Sequence, residues 1–153
     1  MSLGKSNTRM LDGVEFINWE STYTTVQNNS AVWGTGGESA IGMTIDGSGN
    51  AITAGDKGSI SIPYNAILNS VIMVADVSGL CIVDILKSNY TSYPTSSSIC
   101  STSLPTISSA NKSVDSNLTG WDTNIQSGDI LNFQVLSASN ITKLNLTIGA
   151  TKY

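Results

Sequence analysis

The pattern of apolar and polar positions predicts β-strands from about residue 40 onward. Apolar residues alternate with polar ones in Ile41–Ile45 and again in Ser59–Ile62, which is the two-residue period of a half-buried strand. Asp46–Asn50 lies between these two runs and is rich in turn-forming residues. The alternation returns near the C-terminus, where it predicts strands over residues 130–135 and 141–148.

Two dense apolar runs in the middle of the chain predict a β-hairpin. They cover Ile67–Ala75 and Leu80–Leu86, and Asp76–Gly79 between them has the residue types of a tight turn. Both runs are apolar on both strand faces, so the second face needs a cover: a second sheet, the N-terminal arm or a neighbouring subunit. As the oligomer interface we select Val71, Met73, Val83 and Ile85.

The stretch Ser88–Ser113 is polar, rich in serine and shows little alternation. We interpret it as a connection that crosses between sheets, with a short helical turn over residues 105–110. No segment longer than about ten residues has the period of a helix. The sequence therefore predicts an all-β protein, an antiparallel, jelly-roll-like β-sandwich with an extended N-terminal arm.

The N-terminal part of the chain differs from the rest. Residues 1–37 have weak periodicity and one short apolar set within Val14–Trp19, too few residues to form a core alone. They end in the glycine-rich segment Trp33–Gly37, which we interpret as a hinge because no Lys-Ser/Thr pair follows to make a phosphate-binding loop. We therefore divide the chain into an arm and hinge, residues 1–37, and a β-sandwich domain, residues 38–153.

Composition narrows the classes of function. Ser, Thr, Asn and Gly supply 68 of the 153 residues while only 12% are charged, so the surface is polar without strong charge. A formal net charge of −4 disfavours nucleic acid as a partner. Without histidine, the commonest catalytic designs and metal sites are missing, and we predict no enzymatic activity, cofactor or metal.

The chain shows no segment for membrane insertion or export. No apolar run approaches the ~20 residues that span a bilayer. The N-terminus lacks the apolar region of a secretory signal, so we expect synthesis in a cytoplasm. Cys81 and Cys100 are then expected to be buried free thiols rather than a disulfide.

Three groups of residues are candidate sites. Asp46–Asn50 has alternating oxygen side chains, but it lacks the carboxylates of a calcium loop and is interpreted as a side-chain-capped turn. Asp76 and Asp84 are candidates for paired glycosidase carboxylates; the alternative is that Asp76 caps its turn and Asp84 pairs with Lys87 or faces solvent. Candidates for glycan binding are Tyr90, Tyr93 and Trp121, with Trp121 as a core anchor the alternative.

Several segments resemble a known kind of phage domain. They are Gly58–Tyr64, Val74–Gly79, Val83–Tyr90, Leu104–Ser108, Asn117–Trp121 and Gly128–Leu131. Together, over about residues 40–150, they resemble a small β-domain at the C-terminal ends of tailed-bacteriophage tail-fibre and other virion structural proteins. Asn7–Gly13 also resembles the segment near the start of many phage fibre and tailspike chains.

The resemblance implies a virion protein, assembled in the cytoplasm of the bacterial host. Its arm attaches to other virion proteins and its β-domain projects, as a homotrimer, toward host-surface glycans. The anchoring residues in the resembling segment are Arg9, Met10 and Leu11. Phe16, Trp19 and Trp33 are further anchoring candidates, as aromatic side chains that insert into a partner; alternatively they fold back as an extra strand over the apolar hairpin. Two alternatives stay open: a capsid, neck or tail decoration protein without host contact, and a monomeric carbohydrate-binding module.

Overall fold

A computed structural model describes residues 36–153. The regular secondary structure of these residues consists only of β-strands. The strands are β1 (Glu38–Asp46), β2 (Gly55–Ser61), β3 (Ala66–Asn89), β4 (Ser97–Ser98), β5 (Thr106–Asp115), β6 (Asn124–Ile125), β7 (Asp129–Ser139) and β8 (Lys143–Lys152). Every strand pair is antiparallel. The predicted all-β, antiparallel fold is therefore confirmed. The predicted arm lies outside the described residues, except for its last two positions.

One long strand organises the sheet. β3 has 24 residues; its first half pairs with β8 and its second half pairs with β7 along the same edge. β1 lies outside β8 and β2 lies outside β7, which gives the order β1-β8-β3-β7-β2. The opposite edge of β3 is covered by β5 and by the short strands β4 and β6. The sheet thus has two halves that share β3.

The two halves pack against each other around one core. Inward residues from both halves of β3 belong to the same buried cluster, and so do those of β7 and β8. The halves approach closely at their outer strands, because a Cβ added to Gly58 of β2 would lie 3.5 Å from Cε of Met43 in β1. The fold is a sandwich formed by one curled sheet rather than by two separate sheets.

The predicted hairpin at Asp76–Gly79 is wrong. The chain does not reverse there, because β3 runs without interruption from Ala66 to Asn89. Val74 faces Lys112 and Gly79 faces Ala110, so β3 has extra residues relative to β5 at this point. Extra residues in one strand bend it and increase its twist. The turn-forming residues therefore bend the strand between the two halves of the sheet.

The helical turn expected at residues 105–110 is also wrong, because β5 occupies this segment. The sequence of β5 shows no alternation of apolar and polar residues because only Ile107 is fully buried. Most of its other side chains are polar and are exposed or half-buried. Ser109 has a positive φ of 51°, which interrupts the regular strand conformation. Part of the presumed crossing connection is thus an edge strand.

Asp76 fastens the bend in β3 to the turn between β7 and β8. Its Oδ1 accepts the backbone N–H groups of Thr142 at 3.2 Å and Lys143 at 3.0 Å. Its Oδ2 accepts the hydroxyl of Thr142. These hydrogen bonds to the charged form, led by the Thr142 hydroxyl, lower the pKa of Asp76 from 3.8 to about 2.

Asp76→Asn is expected to lower the Tm at neutral pH and to remove part of its acid dependence. Because the folded pKa lies below the unfolded value, the stabilisation is complete above pH 3.8 and is lost as the pH falls toward about 2. The Tm of the variant and of the wild type should therefore converge near pH 2. Glu38→Gln is the control, since it removes an exposed carboxylate that has no hydrogen bond within residues 36–153. Equal Tm differences at pH 7 and pH 2 would contradict this account.

Cys81 and Cys100 are free and buried, as expected from the sequence. Burial raises the pKa of the Cys100 thiol to about 12 and also raises that of Cys81. Thiolates are the reactive species, so iodoacetamide should label neither cysteine in the native protein and both in denaturant, as measured by mass spectrometry. Rapid native labelling would place these thiols outside the core.

Candidate binding site

One outward face of the sandwich is polar because β7 alternates between core and surface. Phe133 is fully buried, whereas its neighbours Asn132 and Gln134 lie on the opposite face and are half-buried. The antiparallel register places Asp56 of β2 beside Gln134 and Leu86 of β3 beside Asn132. We call this surface the polar face; it consists of Asp56, Ser59, Asp84, Leu86, Asn132 and Gln134.

Hydrogen bonds hold several side chains of the polar face in place. The Asn132 amide donates to Oδ2 of Asp56 at 3.0 Å and to Oγ of Ser59 at 3.1 Å. The Ser98 hydroxyl donates to Oδ1 of Asp84 at 2.6 Å. The Gln134 amide and the Asn132 side-chain oxygen form no hydrogen bond within residues 36–153, so they are available to a ligand.

The loop that follows β3 forms a wall beside the polar face. It creates a hollow of about 190 Å³. The hollow is lined by Asp56, Tyr93, Pro94, Ser96, Asn132 and Gln134, and also by Leu86. Tyr93 is 48% exposed, so part of its side chain is open to solvent. An aromatic ring beside amide and carboxylate groups can bind a sugar, which has apolar C–H faces and a rim of hydroxyl groups.

The three predicted aromatic residues do not converge on one site. Tyr93 lines the hollow, but Tyr90 does not and is 86% exposed. Trp121 is buried, and its indole N–H donates to the carbonyl oxygen of Ser103 at 2.8 Å. Trp121 is therefore a core anchor, the alternative considered above, because a buried indole with a satisfied N–H offers no ring face to a ligand.

The four residues predicted to form an oligomer interface lie in the core of the single chain instead. Val71, Met73, Val83 and Ile85 are at most 3% exposed within a single chain, so they cannot contact a second one. The exposed large apolar side chains of β3 are Ile67, Ile72, Val74 and Val77, and two of them, Ile72 and Val74, lie between the predicted interface residues in sequence. Val114 of β5 faces Ile72 and is also exposed. We call Ile72, Val74 and Val114 the apolar patch.

The candidate acidic sites are structural. Asp46 accepts the backbone N–H of Ser48 at 2.7 Å, as in the expected capped turn. Asp76 and Asp84 are engaged separately, by the β7–β8 turn and by Ser98. Of the two alternatives for Asp84, pairing with Lys87 is wrong, because the Lys87 ammonium contacts Asp122 at 2.5 Å; Asp84 lies on the outward face and is half-buried.

The remaining features concern metal binding, membrane spans and the anchoring residues. Within residues 36–153, no group of three or more His, Cys, Asp or Glu is placed to hold a metal ion. No helix in this part of the chain is long and apolar enough to cross a membrane. The anchoring residues lie outside it: Arg9, Met10, Leu11, Phe16, Trp19 and Trp33.

Sequence reasoning missed the polar half of the site. Alternation in residues 130–135 places Asn132 and Gln134 on the face opposite Phe133, and that signal was present in the sequence. Asp56 lies in the segment Gly55–Gly58, whose residue types are typical of a turn and give no sign of a binding site. Its position beside Gln134 depends on the pairing of β2 with β7, which are far apart in the chain.

The chain was compared with known proteins. No family model matches it, and no curated protein matches it either. The family resemblance noted from the sequence therefore stays a prediction.

Proposed function

We propose that the β-domain is the non-enzymatic, carbohydrate-binding tip of a short bacteriophage virion protein whose arm attaches it to the particle. The observation that carries the binding role is the hollow beside Tyr93, where an aromatic side chain adjoins the Gln134 amide and the Asn132 side-chain oxygen. The virion setting, the arm and the homotrimer rest on the sequence resemblance. The expected partners are host-surface glycans and other virion proteins.

The chemistry of the hollow suits a sugar. The Gln134 amide supplies both a donor and an acceptor, and the Asn132 oxygen supplies an acceptor for a sugar hydroxyl. The Asp56 carboxylate accepts hydrogen bonds more strongly than a neutral group does. The hollow is small and partly open, so each contact should be weak. A trimer would make several such contacts additive through avidity.

Tyr93→Ala is expected to weaken glycan binding about tenfold or more, which corresponds to about 1.4 kcal/mol. The reason is loss of the aromatic surface beside Asn132 and Gln134. Binding of the full chain to an array of bacterial surface polysaccharides measures the effect. Tyr90→Ala is the matched control, since Tyr90 lies in the same loop but does not line the hollow. Equal losses in the two variants, or binding to no polysaccharide, would contradict the proposal.

We propose that the trimer forms through the apolar patch rather than through core residues. Ile72, Val74 and Val114 are 43–67% exposed, and burial against a second copy would remove apolar surface from water. Light scattering should give a mass near three times the 16.0 kDa of one chain. Val114→Glu should reduce it to that of one chain while the far-UV circular dichroism spectrum stays that of the wild type, because this side chain is exposed within a single chain. A single-chain mass for the wild type would favour the monomeric carbohydrate-binding module.

A second candidate function is favoured by the same patch. A capsid, neck or tail decoration protein would use exposed apolar side chains against other virion proteins and would not contact the host. Deleting the gene would then weaken the particles without changing adsorption. Reduced adsorption of particles that remain stable would instead support glycan binding.

A further inference from the structure

A second, larger hollow adjoins the hollow at Tyr93. It has a volume of about 400 Å³, and its lining includes Lys87, Ser88, Asn89, Ser92, Ser96 and Asp129. Ser96 lines both hollows, so they meet at this residue. A ligand that leaves the first hollow past Ser96 enters the second.

Ser88 gives the second hollow an unsatisfied polar group. This serine is 7% exposed, and its hydroxyl is covered and has no hydrogen-bond partner. Within residues 36–153 it is the only buried side-chain oxygen or nitrogen in that condition. Buried polar groups are almost always paired, and an unpaired one reduces stability. A partner from outside the domain would satisfy it.

The charges around the two hollows favour a neutral ligand. Among residues 36–153, Lys87 is the only cationic residue that lines either hollow, and its ammonium is bound to Asp122 at 2.5 Å and to the carbonyl oxygen of Asn124 at 2.8 Å. Carboxylates line both hollows, Asp56 in the first and Asp129 in the second. Like charges repel an anionic ligand, whereas carboxylates accept hydrogen bonds from neutral hydroxyl groups.

We propose that the second hollow is a further sugar subsite and that the ligand is a neutral oligosaccharide of at least two units passing over Ser96. This inference rests on the proposed function and specifies its ligand. The Ser88 hydroxyl pairs with a hydroxyl of the second sugar unit. Because the Ser88 hydroxyl is covered, the ligand must displace side chains of the surrounding loop; Ser92 and Thr95 line the same hollow and are exposed, and exposed side chains change rotamer within nanoseconds.

Calorimetry on the full chain tests the inference with fragments of one to four sugar units. The neutral probes are fragments of dextran, mannan, galactan and bacterial O-polysaccharides, and the acidic probes are fragments of alginate and polysialic acid. In the neutral series that binds, Kd should fall at least tenfold from one unit to two or more. The acidic fragments should bind at least tenfold more weakly than neutral fragments of the same length.

Ser88→Ala should remove the gain from the second unit and leave the affinity for one unit unchanged. It should also keep or raise the Tm of the free protein, because it removes an unsatisfied buried hydroxyl. Ser113→Ala, on β5 in contact with the other half of the sheet, is the control and should change neither value.

The possible results separate this inference from the proposed function. Binding that depends on Tyr93 but not on fragment length or Ser88 would overturn the second subsite and keep the carbohydrate-binding role. Stronger binding of the acidic fragments would overturn the neutral ligand class. Absence of binding to all fragments would overturn the inference together with the proposed function. A Tm loss in Ser88→Ala without any change in affinity would show a purely structural role.

Discussion

Gly79→Ala is expected to lower the unfolding free energy of the β-domain strongly. A Cβ at this position would lie 2.4 Å from the carbonyl oxygen of Ser139 and 2.9 Å from Cγ1 of Ile141. Both distances are shorter than non-bonded contacts allow, and the first involves backbone. Gly79 lies in the bend of β3, where the strand approaches the turn between β7 and β8. Relief of the clash must therefore move the backbone that joins the two halves of the sheet.

We expect Gly79→Ala to lose at least about 3 kcal/mol of unfolding free energy, the upper range for overpacking a core. Because small domains are stable by only about 5–15 kcal/mol, this loss would remove a large fraction of the folding free energy. Denaturant unfolding followed by circular dichroism measures the loss. Gly42→Ala is the control, since its new Cβ would meet the Leu146 oxygen at an ordinary 3.7 Å. Two variants of equal stability would contradict the close approach at the bend.

Phe133→Ala should also lower the unfolding free energy of the β-domain strongly. Phe133 is fully buried in the centre of β7, and truncation leaves a cavity between the two halves of the sheet. Such substitutions usually cost about 3–5 kcal/mol. The flanking residues Asn132 and Gln134 belong to the polar face, so displacement of β7 should also weaken glycan binding.

Phe133→Leu separates packing from binding. Leucine fills more of the space, so we expect a clearly smaller loss of unfolding free energy and retained glycan affinity. Urea titration and the polysaccharide array measure the two effects on the same samples. A loss below about 1 kcal/mol in Phe133→Ala would place this ring outside the core.

The fold was predictable where one strand face is apolar and the other polar. Alternation located β1, part of β2, β7 and β8, because each has one face in the core. It failed in β3, where apolar residues occupy both faces and nothing local distinguishes Val71 from Ile72. The bend at Asp76–Gly79 was taken for a reversal because the same residue types serve both purposes.

The site was predictable only in part. Tyr93 was identified by residue type, since an aromatic residue in a polar loop is a natural binding element. Trp121 has the same character in sequence, and only its burial and its hydrogen bond to Ser103 separate the two. The hollow itself depends on long-range pairing of β2, β3 and β7, which no local pattern encodes.

The proposed function depends on carbohydrate binding at the polar face beside Tyr93. The most direct test is an NMR titration of the ¹⁵N-labelled full chain with the neutral polysaccharide fragments named above. Binding at the hollow predicts that chemical-shift changes concentrate on the side-chain amides of Asn132 and Gln134 and on the backbone amides of residues 92–97. Changes centred on Ile72, Val74 and Val114, or no changes with any fragment, would contradict the claim.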